Sequence, residues 1–194
     1  MLDKSKFMTE NEVQKLLKFS KSNRLKSILD MRNHVIIHLL VGTGCRGSEA
    51  RLLKMSDLFL SDHYLQFTRT KNGTTRTALL SPPLTKLLKR YISFKKKNYE
   101  PSGPSDYLFR SRNGGYMTIQ SMENLFKKMA KAAGIRTNLT LHSTRHAVGF
   151  AVMKKTGNIR MVQEILGHKS IQSTMVYAHI SEDQIQKTIN ALWA

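Results

Sequence analysis

The sequence is poor in acidic residues and cysteine. Only 13 Asp and Glu side chains stand against 32 Lys and Arg, which leaves a formal net charge of +19 over 194 residues. This excess predicts a polyanionic partner, and nucleic acid is the first candidate because basic side chains that neutralise phosphates release counterions. The one cysteine, Cys45, excludes an internal disulfide framework and is typical of a reducing, cytoplasmic compartment.

Long apolar runs are also missing. No stretch reaches the ~18 uninterrupted apolar residues that a membrane span needs, and MLDKSKFMTENE at the N-terminus has no apolar signal core. We therefore expect no membrane partner. The four prolines lie in SPPL and NYEPSGPSD, so the rest of the chain is free to form helices. The length and the 40% of apolar residues suit one folded domain.

Helical periodicity dominates the chain. Thr9 and Glu12 form a capping-box pattern before a first helix. Further helices are predicted at about residues 28–40, 46–55, 82–97, 119–133, 143–156, 159–166, 171–177 and 183–192. YLQFTRT and TTRTALL flank Lys71-Asn72-Gly73, and Asn-Gly is a strong hairpin signal. We predict an α+β, mainly helical fold with two or three antiparallel strands between residues 58 and 80, including a hairpin around residues 64–80.

The C-terminal third brings imidazole, guanidinium and phenol groups together at short intervals. LHSTRH (141–146) is followed by LGH (166–168) and by MVYAH, which contains Tyr177. A phenol of pKa ~10 needs help to act as a nucleophile. Negative charge builds up on the non-bridging oxygens during phosphoryl transfer, and fixed guanidinium groups such as those of Arg145 and Arg46 stabilise it. The pattern therefore indicates attack of a tyrosine on a phosphodiester.

A metal site is the alternative reading of the same histidines. His142 and His146 form H-x-x-x-H, but the zinc-peptidase pattern needs Glu after the first histidine, and Ser143 stands there. His34 and His38 repeat the spacing within an apolar helix, and we interpret them as core or surface residues. Because no cysteine cluster or pair of carboxylates accompanies either pair, we predict no metal and no cofactor.

These blocks resemble the catalytic domain of the tyrosine recombinases, the family of phage integrases, chromosome-dimer resolvases and fimbrial-switch invertases. The resemblance runs in order through FMTENEVQKLL, GTGCRGSEARLLKMSDL, TKNGTTR, LTLHSTRHAVGF and VQEILGHKSIQSTMVYAHI, and so covers nearly the whole chain. It implies an enzyme that cuts and rejoins DNA strands through a 3′-phosphotyrosyl intermediate, in integration, excision or inversion.

The resemblance also implies roles for individual residues. The implied catalytic set is Arg46, Lys71, His142, Arg145, His168 and Tyr177, with Glu49 as structural support of the site. Tyr177 is the implied nucleophile, and Lys71 the general acid toward the leaving 5′ hydroxyl. His142 would take up the tyrosine proton, and His168 would bond the scissile phosphate. Ser143-Thr144 stands where the family often has Asp-Leu, which we expect to alter the support of the site without removing a catalytic group.

The family pattern divides the chain into two parts. We assign residues 1–180 to the catalytic domain and residues 181–194 to a C-terminal amphipathic helix. Its apolar stripe consists of Ile185, Ile189, Leu192 and Trp193. The helix would pack either on its own domain or, as the resemblance implies, in trans on a neighbouring copy, in a homotetramer on DNA formed from free monomers. Only six residues precede the opening helix, so we expect no N-terminal core-binding domain in this chain. Two interpretations stay open: an excised domain, or a short form that resembles the fimbrial invertases.

Basic clusters predict the contacts with double-stranded DNA. The candidate residues are Arg76 beside the hairpin, Lys86, Lys89, Arg90 and Lys95 to Lys97 in one cluster, and Lys127, Lys128, Lys131 and Arg136 in another. Two rivals to a recombinase stay open: a type IB topoisomerase-like enzyme, which shares the phosphotyrosine chemistry, and a catalytically silent DNA-binding regulator. We favour the recombinase because binding alone does not need the full catalytic set.

Overall fold

The structure, a computed structural model, describes residues 7–22, 27–68 and 75–178. In these ranges the helices are α1 (Glu10–Ser22), α2 (Ile28–Thr43), α3 (Gly47–Ala50), α4 (Pro82–Lys97), α5 (Ile119–Ala132), α6 (Leu141–Thr156) and α7 (Ile159–Leu166). The strands are β1 (Leu58–Phe59), β2 (Tyr64–Phe67) and β3 (Arg76–Leu79), and single 3-10 turns occupy Met55–Asp57, Ile171–Ser173 and Met175–Tyr177. Lys71 and the predicted helix at 183–192 lie outside the described residues.

The start of α1 shows how local sequence sets the helix bounds. The Glu12 amide donates to Thr9 Oγ1 (3.2 Å), and the Thr9 amide donates to Glu12 Oε2 (2.8 Å). Two amide groups that the helix leaves unpaired are thereby satisfied. The predicted capping box is confirmed.

The three strands form one antiparallel sheet in the order β1-β2-β3. Between β2 and β3, Leu65 pairs with Ala78 and Phe67 pairs with Arg76. Leu65, Phe67 and Ala78 are buried, so alternate residues of the hairpin face the core. The predicted α+β fold with its small antiparallel sheet is confirmed.

The main core surrounds α2. Five of its residues, Val35, Ile36, Ile37, Leu39 and Leu40, are fully buried, and the helix packs against α1, α4 and α6. A helix that is apolar on nearly every side is stable only when it is enclosed in this way. A second, small cluster of buried residues lies beside α6 and α7 and consists of Val162, Leu166 and Tyr177.

Two helix predictions were wrong in extent. The segment predicted as a helix at 46–55 is helical only over α3, because the chain then turns to pair with a later loop: Leu108 donates its amide to the Leu53 carbonyl (2.8 Å), and Lys54 pairs with Tyr107. The segment 171–177 forms two 3-10 turns that meet at Thr174, which is buried.

Among the helices of the described ranges, none has both the length and the apolar character that crossing a bilayer requires.

Candidate active site

One face of α6 carries much of the site. His142, Arg145, His146 and Gly149 follow one another at i, i+3, i+4 and i+7, a spacing that places them on the same side of a helix. The helix begins under a capping box in which the Thr140 amide donates to Ser143 Oγ (3.1 Å). The face is therefore fixed relative to the start of the helix.

Ser143 and Thr144, the departures from the family pattern, both support α6 locally. Ser143 belongs to the cap, and the Thr144 hydroxyl donates to the Leu141 carbonyl (2.7 Å). The Leu141 amide donates to Glu123 Oε2 (3.2 Å) and so ties the start of α6 to α5. These bonds satisfy groups at the first turn of the helix.

Arg145 is buried and held by main-chain carbonyls. Its side chain is among the largest that are fully enclosed, and its residue exposure is 1%. Nη1 donates to the Gly44 carbonyl (2.7 Å) and Nη2 to the Leu166 carbonyl (2.6 Å). Both carbonyls lie at C-terminal helix ends, of α2 and α7, where the helix dipole is negative. Burial, with the charge of Arg46, lowers the pKa of Arg145 to about 10, so the group stays charged at neutral pH.

Glu49 is a buried carboxylate shared by two arginines. Arg46 donates to it from Nη1 (2.9 Å to Oε1) and from its amide (2.8 Å to Oε2). Arg76 donates from Nη2 (2.9 Å to Oε2) and from Nε (3.3 Å to Oε1). Burial raises the pKa of Glu49, but the Arg76 hydrogen bond and charge outweigh it, and the net direction is down. The carboxylate is therefore ionised and fixes both cations.

Tyr177 is packed against α6 and its hydroxyl is bonded. The residue is 2% exposed, and its Oη lies 2.9 Å from His146 Nδ1. Its ring lies so close to Gly149 that a Cβ there would come within 2.6 Å of two ring atoms, and Phe150 contacts it edge-on. Burial raises the pKa of Tyr177 to about 12, although the charges of Arg145 and Arg46 act in the opposite direction. The phenol is thus protonated in this arrangement.

The histidines around Tyr177 are neutral at physiological pH. His168 follows α7, shares a hydrogen bond with Thr174 Oγ1 (2.9 Å), and lies parallel to the Tyr177 ring at 6.4 Å between centroids. Burial lowers the pKa of both His146 and His168 to about 4, with nearby positive charges acting in the same direction. Burial also lowers the pKa of His142, whose ring lies edge-on to His146 at 4.5 Å. Neutral imidazoles can accept protons or donate hydrogen bonds.

A pocket of about 310 Å³ lies beside two guanidinium groups and one imidazole of the site. Arg46, His142 and Arg145 line it together, beside the start of α3. Among the three site arginines Arg46 is the most accessible: 37% of its side chain is exposed, against 12% for Arg76, and Arg145 is buried. A phosphate that entered the pocket would therefore meet Arg46 without displacing any buried group.

The structure brings most of the predicted site residues together. Arg46, Glu49, His142, Arg145, His168 and Tyr177 all belong to this region, whereas Lys71 lies outside the described residues. Their assigned roles stay predictions. His146 was not predicted as a site residue, although its position one turn after His142, on the face that carries Arg145, was a usable signal. In the described ranges, no group of three or more His, Cys, Asp or Glu side chains comes together as a metal site would require.

The predicted DNA-contact residues divide by exposure. Lys86, Lys89, Arg90, Lys96, Lys97, Lys127, Lys128 and Lys131 are exposed. Lys95 is fully buried and pairs with Glu100 (3.1 Å), so its assignment to the basic surface was wrong. Arg136 is bonded to Glu12 at 2.6 Å, and Arg76 points to Glu49.

Comparison with known proteins assigns the family. The model of the phage integrase family matches residues 6–184. The chain belongs to the phage integrase family. Tyrosine recombinase XerD of Listeria innocua is 30% identical over 178 residues, which are 91% of this chain and 59% of that protein. The chain thus spans less than two thirds of the length of this relative.

Solved structures share the phage integrase fold. The catalytic domain of bacteriophage HP1 integrase has a TM-score of 0.65 and 25% identity, and the match covers 96% of this chain and 94% of that one. XerH site-specific recombinase, bound to its difH substrate in a pre-cleavage complex, has a TM-score of 0.80 and 23% identity, with coverage of 97% and 55%. The predicted family resemblance is confirmed.

Proposed function

We propose that this chain is the catalytic domain of a site-specific recombinase that cuts and rejoins double-stranded DNA through Tyr177. The observation that carries the proposal is the meeting of a buried tyrosine with neutral histidines and with guanidinium groups that line one pocket. Membership of the phage integrase family and the likeness to XerD support it. The net charge of +19 and the DNA-bound state of XerH support DNA as the partner.

The chemistry is an exchange of phosphodiester bonds. Tyr177 Oη attacks the phosphorus, the bond from phosphorus to the 5′ oxygen breaks, and a 3′-phosphotyrosyl link forms. Lys71 gives a proton to the leaving 5′ oxygen, while Arg46 and Arg145 stabilise the charge on the non-bridging oxygens. A 5′ hydroxyl then attacks the link and releases Tyr177. Because each step replaces one phosphoester bond by another, rejoining needs no external energy source.

The proton of Tyr177 has two candidate acceptors. His142 is the acceptor that the family resemblance implies, whereas His146 shares the hydrogen bond with the hydroxyl in this structure. A neutral His146 accepts through Nδ1 when its proton is on Nε2. Comparing the cleavage rates of His142→Gln and His146→Gln across the pH range identifies the acceptor, since the variant that lacks it loses the pH dependence of cleavage.

We propose that the protein is cytoplasmic, monomeric when free, and a homotetramer when bound to DNA. Residues 181–194 would form a helix that docks in trans on a neighbouring copy. An apolar groove of about 780 Å³ between α1 and α6, lined by Val13, Val41 and Phe150 among others, supports this. Deleting residues 183–194 should keep cleavage and lose the tetramer, as measured by sedimentation with DNA. Loss of the folded state on deletion would instead indicate that the segment packs on its own domain.

Covalent capture tests the function itself. Wild type and Tyr177→Phe are incubated with nicked fragments of the replicon that encodes the chain, denatured in detergent, and any DNA still attached to protein is sequenced. Tyr177→Phe keeps the ring that packs on Gly149 and removes only the hydroxyl. We expect adducts with wild type alone, which would identify the nucleophile and the cleavage site together.

Two other outcomes separate the rivals. Salt-sensitive DNA binding by both proteins without any adduct would favour a silent binder. Adducts accompanied by processive relaxation of supercoiled DNA without paired sites would favour a topoisomerase.

A further inference from the structure

Arg76 stands where three parts of the site meet. It is the first residue of β3, and its guanidinium takes both oxygens of Glu49 with Nη2 and Nε, at 2.9 and 3.3 Å. Its third nitrogen, Nη1, donates to the Ile165 carbonyl in the last turn of α7 (3.4 Å). The planar fork of a guanidinium suits such paired bonds, which a lysine cannot reproduce.

The surroundings of Arg76 hold its side chain in one orientation. The Phe67 ring on β2 lies 4.5 Å from Cζ. On the other side, a Cβ on Gly167 would come within 2.5 Å of Arg76 Cδ, and Gly167 has a φ of +63°. The turn that begins at Gly167 and continues to His168 therefore lies directly on the Arg76 side chain.

Glu49 transmits this contact to Arg46. The carboxylate of Glu49 accepts the Arg46 amide and its Nη1, so it fixes both the start of α3 and the direction of the Arg46 side chain. With Arg76 present, the buried carboxylate has a second cation as partner, so the guanidinium nitrogens of Arg46 that do not bond Glu49 can bind a phosphate. Without Arg76, a buried carboxylate would hold Arg46 as its only paired cation in the described site, and the two anions would compete for it.

We propose that Arg76 is a positioning residue of the cleavage site, which orients Arg46 through Glu49 and joins β3 and the start of α3 to the turn that carries His168. This role rests on the proposed function and differs from a direct DNA contact. A phosphate contact needs a free, accessible guanidinium, whereas each nitrogen of Arg76 has a protein partner and only 12% of the side chain is exposed.

Kinetics with the captured DNA site distinguish the two roles. Removing an outer partner of a reactive group costs roughly 10–100-fold in activity at metal sites, and we expect a similar fall in the single-turnover cleavage rate at saturating protein for Arg76→Gln. Arg76→Lys should fall almost as far, because it keeps the charge but loses the fork. The protein concentration at half saturation and the salt dependence of DNA binding should stay close to wild type.

A matched control is Arg112→Gln, which removes an exposed arginine from the loop between α4 and α5. If Arg76 contacted a phosphate instead, Arg76→Gln would lower the slope of log affinity against log salt by about 0.9, and Arg76→Lys would restore cleavage. A double-mutant cycle with Glu49→Gln adds a second criterion: the double variant should be no slower than the slower single variant, whereas additive losses would overturn the proposal.

Hydrogen exchange tests the positioning role without relying on cleavage. In Arg76→Gln, the amides of residues 46–50 and 167–168 should exchange faster, and in Arg112→Gln they should not. Unchanged exchange at both segments would overturn the proposal whatever the activity. Failure of the wild type to form any adduct would count against the recombinase function alone, since the exchange result decides the role of Arg76 separately.

Discussion

The two halves of the candidate active site are held in different ways. Arg46, Glu49 and Arg145 are fixed by charged and carbonyl partners next to the main core, which surrounds the buried helix α2. Tyr177 belongs instead to a small cluster with Val162 and Leu166, and it is the last residue of a single 3-10 turn. Short 3-10 turns have poorer hydrogen-bond geometry than α-helices.

This difference indicates that the site has a preformed part, which contains the arginines, and an adjustable part, which contains Tyr177. Stabilising charge at a transition state is effective when the cations need no rearrangement at the moment of reaction. The proposed nucleophile needs the opposite property, because Tyr177 is buried, protonated and bonded to His146 in this structure. Elements with few buried contacts open at lower free-energy cost than the core. We therefore expect the Tyr177 turn to move on DNA binding while the arginines stay in place.

The largest expected effect is on the preformed half. Arg145→Lys keeps a charge but cannot reach both the Gly44 and Leu166 carbonyls, so at least one buried acceptor loses its partner. We expect the cleavage rate to fall on the order of 10²–10³-fold and the free energy of unfolding to fall by about 1–3 kcal/mol. Arg46→Lys, at a more exposed position, should lose rate with little loss of stability. Single-turnover cleavage and urea unfolding measure the two quantities; equal stabilities for both variants would contradict the comparison.

An intermediate effect comes from pH and concerns two regions, the main core and the small cluster that contains Tyr177. Burial and the neighbouring His38 lower the pKa of His34, in the main core, to about 4. The unfolded chain binds a proton at His34 more tightly than the folded chain does. The contribution of neutral His34 to the free energy of unfolding is therefore complete above about pH 6.5 and is lost as the pH falls toward 4. His34 alone should lower the free energy of unfolding by up to about 3 kcal/mol between about pH 7.5 and 4.5 in urea unfolding, and His34→Gln should remove that share of the fall.

His146 and His168, near Tyr177, also have pKa values of about 4, so their protonation at low pH lowers stability in the same direction. Their protonation should loosen the Tyr177 turn first, so amide exchange in residues 171–178 should accelerate at a higher pH than global unfolding. Simultaneous loss of both regions would show that the small cluster is no weaker than the core.

The smallest effect tests the adjustable half alone. Gly149→Ala places a Cβ within 2.6 Å of the Tyr177 ring, whereas Gly42→Ala on α2 meets only the flexible end of Leu84 at 2.9 Å. We expect Gly149→Ala to displace Tyr177 and to bring its phenol pKa from about 12 back toward ~10, with a stability loss of about 1–2 kcal/mol. Gly42→Ala should leave the phenol unchanged. Ultraviolet titration of the phenolate, with Tyr177→Phe subtracted, gives the pKa; an unshifted phenol in Gly149→Ala would mean that the ring is held more firmly than its cluster suggests.

Sequence was sufficient where local chemistry decides structure. The capping box of Thr9 and the prolines at the start of α4 gave correct helix starts, and the alternating segments before and after Asn72-Gly73 gave the antiparallel pairing of β2 with β3. The short length of α3 could not be read in this way, because a partner more than fifty residues later, Leu108, takes the Leu53 carbonyl.

The site was predictable in its residue types but not in its connections. His142, Arg145 and Tyr177 stand in motifs whose spacing is informative. The pairing of Arg76 with Glu49 joins residues 27 positions apart, and the burial of Lys95 depends on Glu100 folding back over it. Such contacts depend on tertiary packing, and residue type alone makes Arg76 and Lys95 look like surface cations.

The anchoring of Arg145 has a consequence for how this domain tolerates sequence change. Its partners are the backbone carbonyls where α2 and α7 end, so they depend on the direction and stopping points of two helices and not on which side chains those helices carry. Substitutions along either helix can accumulate without altering the polarity around the guanidinium. Redesign of α2 or α7 should therefore leave the anchor of Arg145 intact as long as the core packing of the two helices is kept, and should disturb that anchor at the helix ends, Gly44 and Gly167.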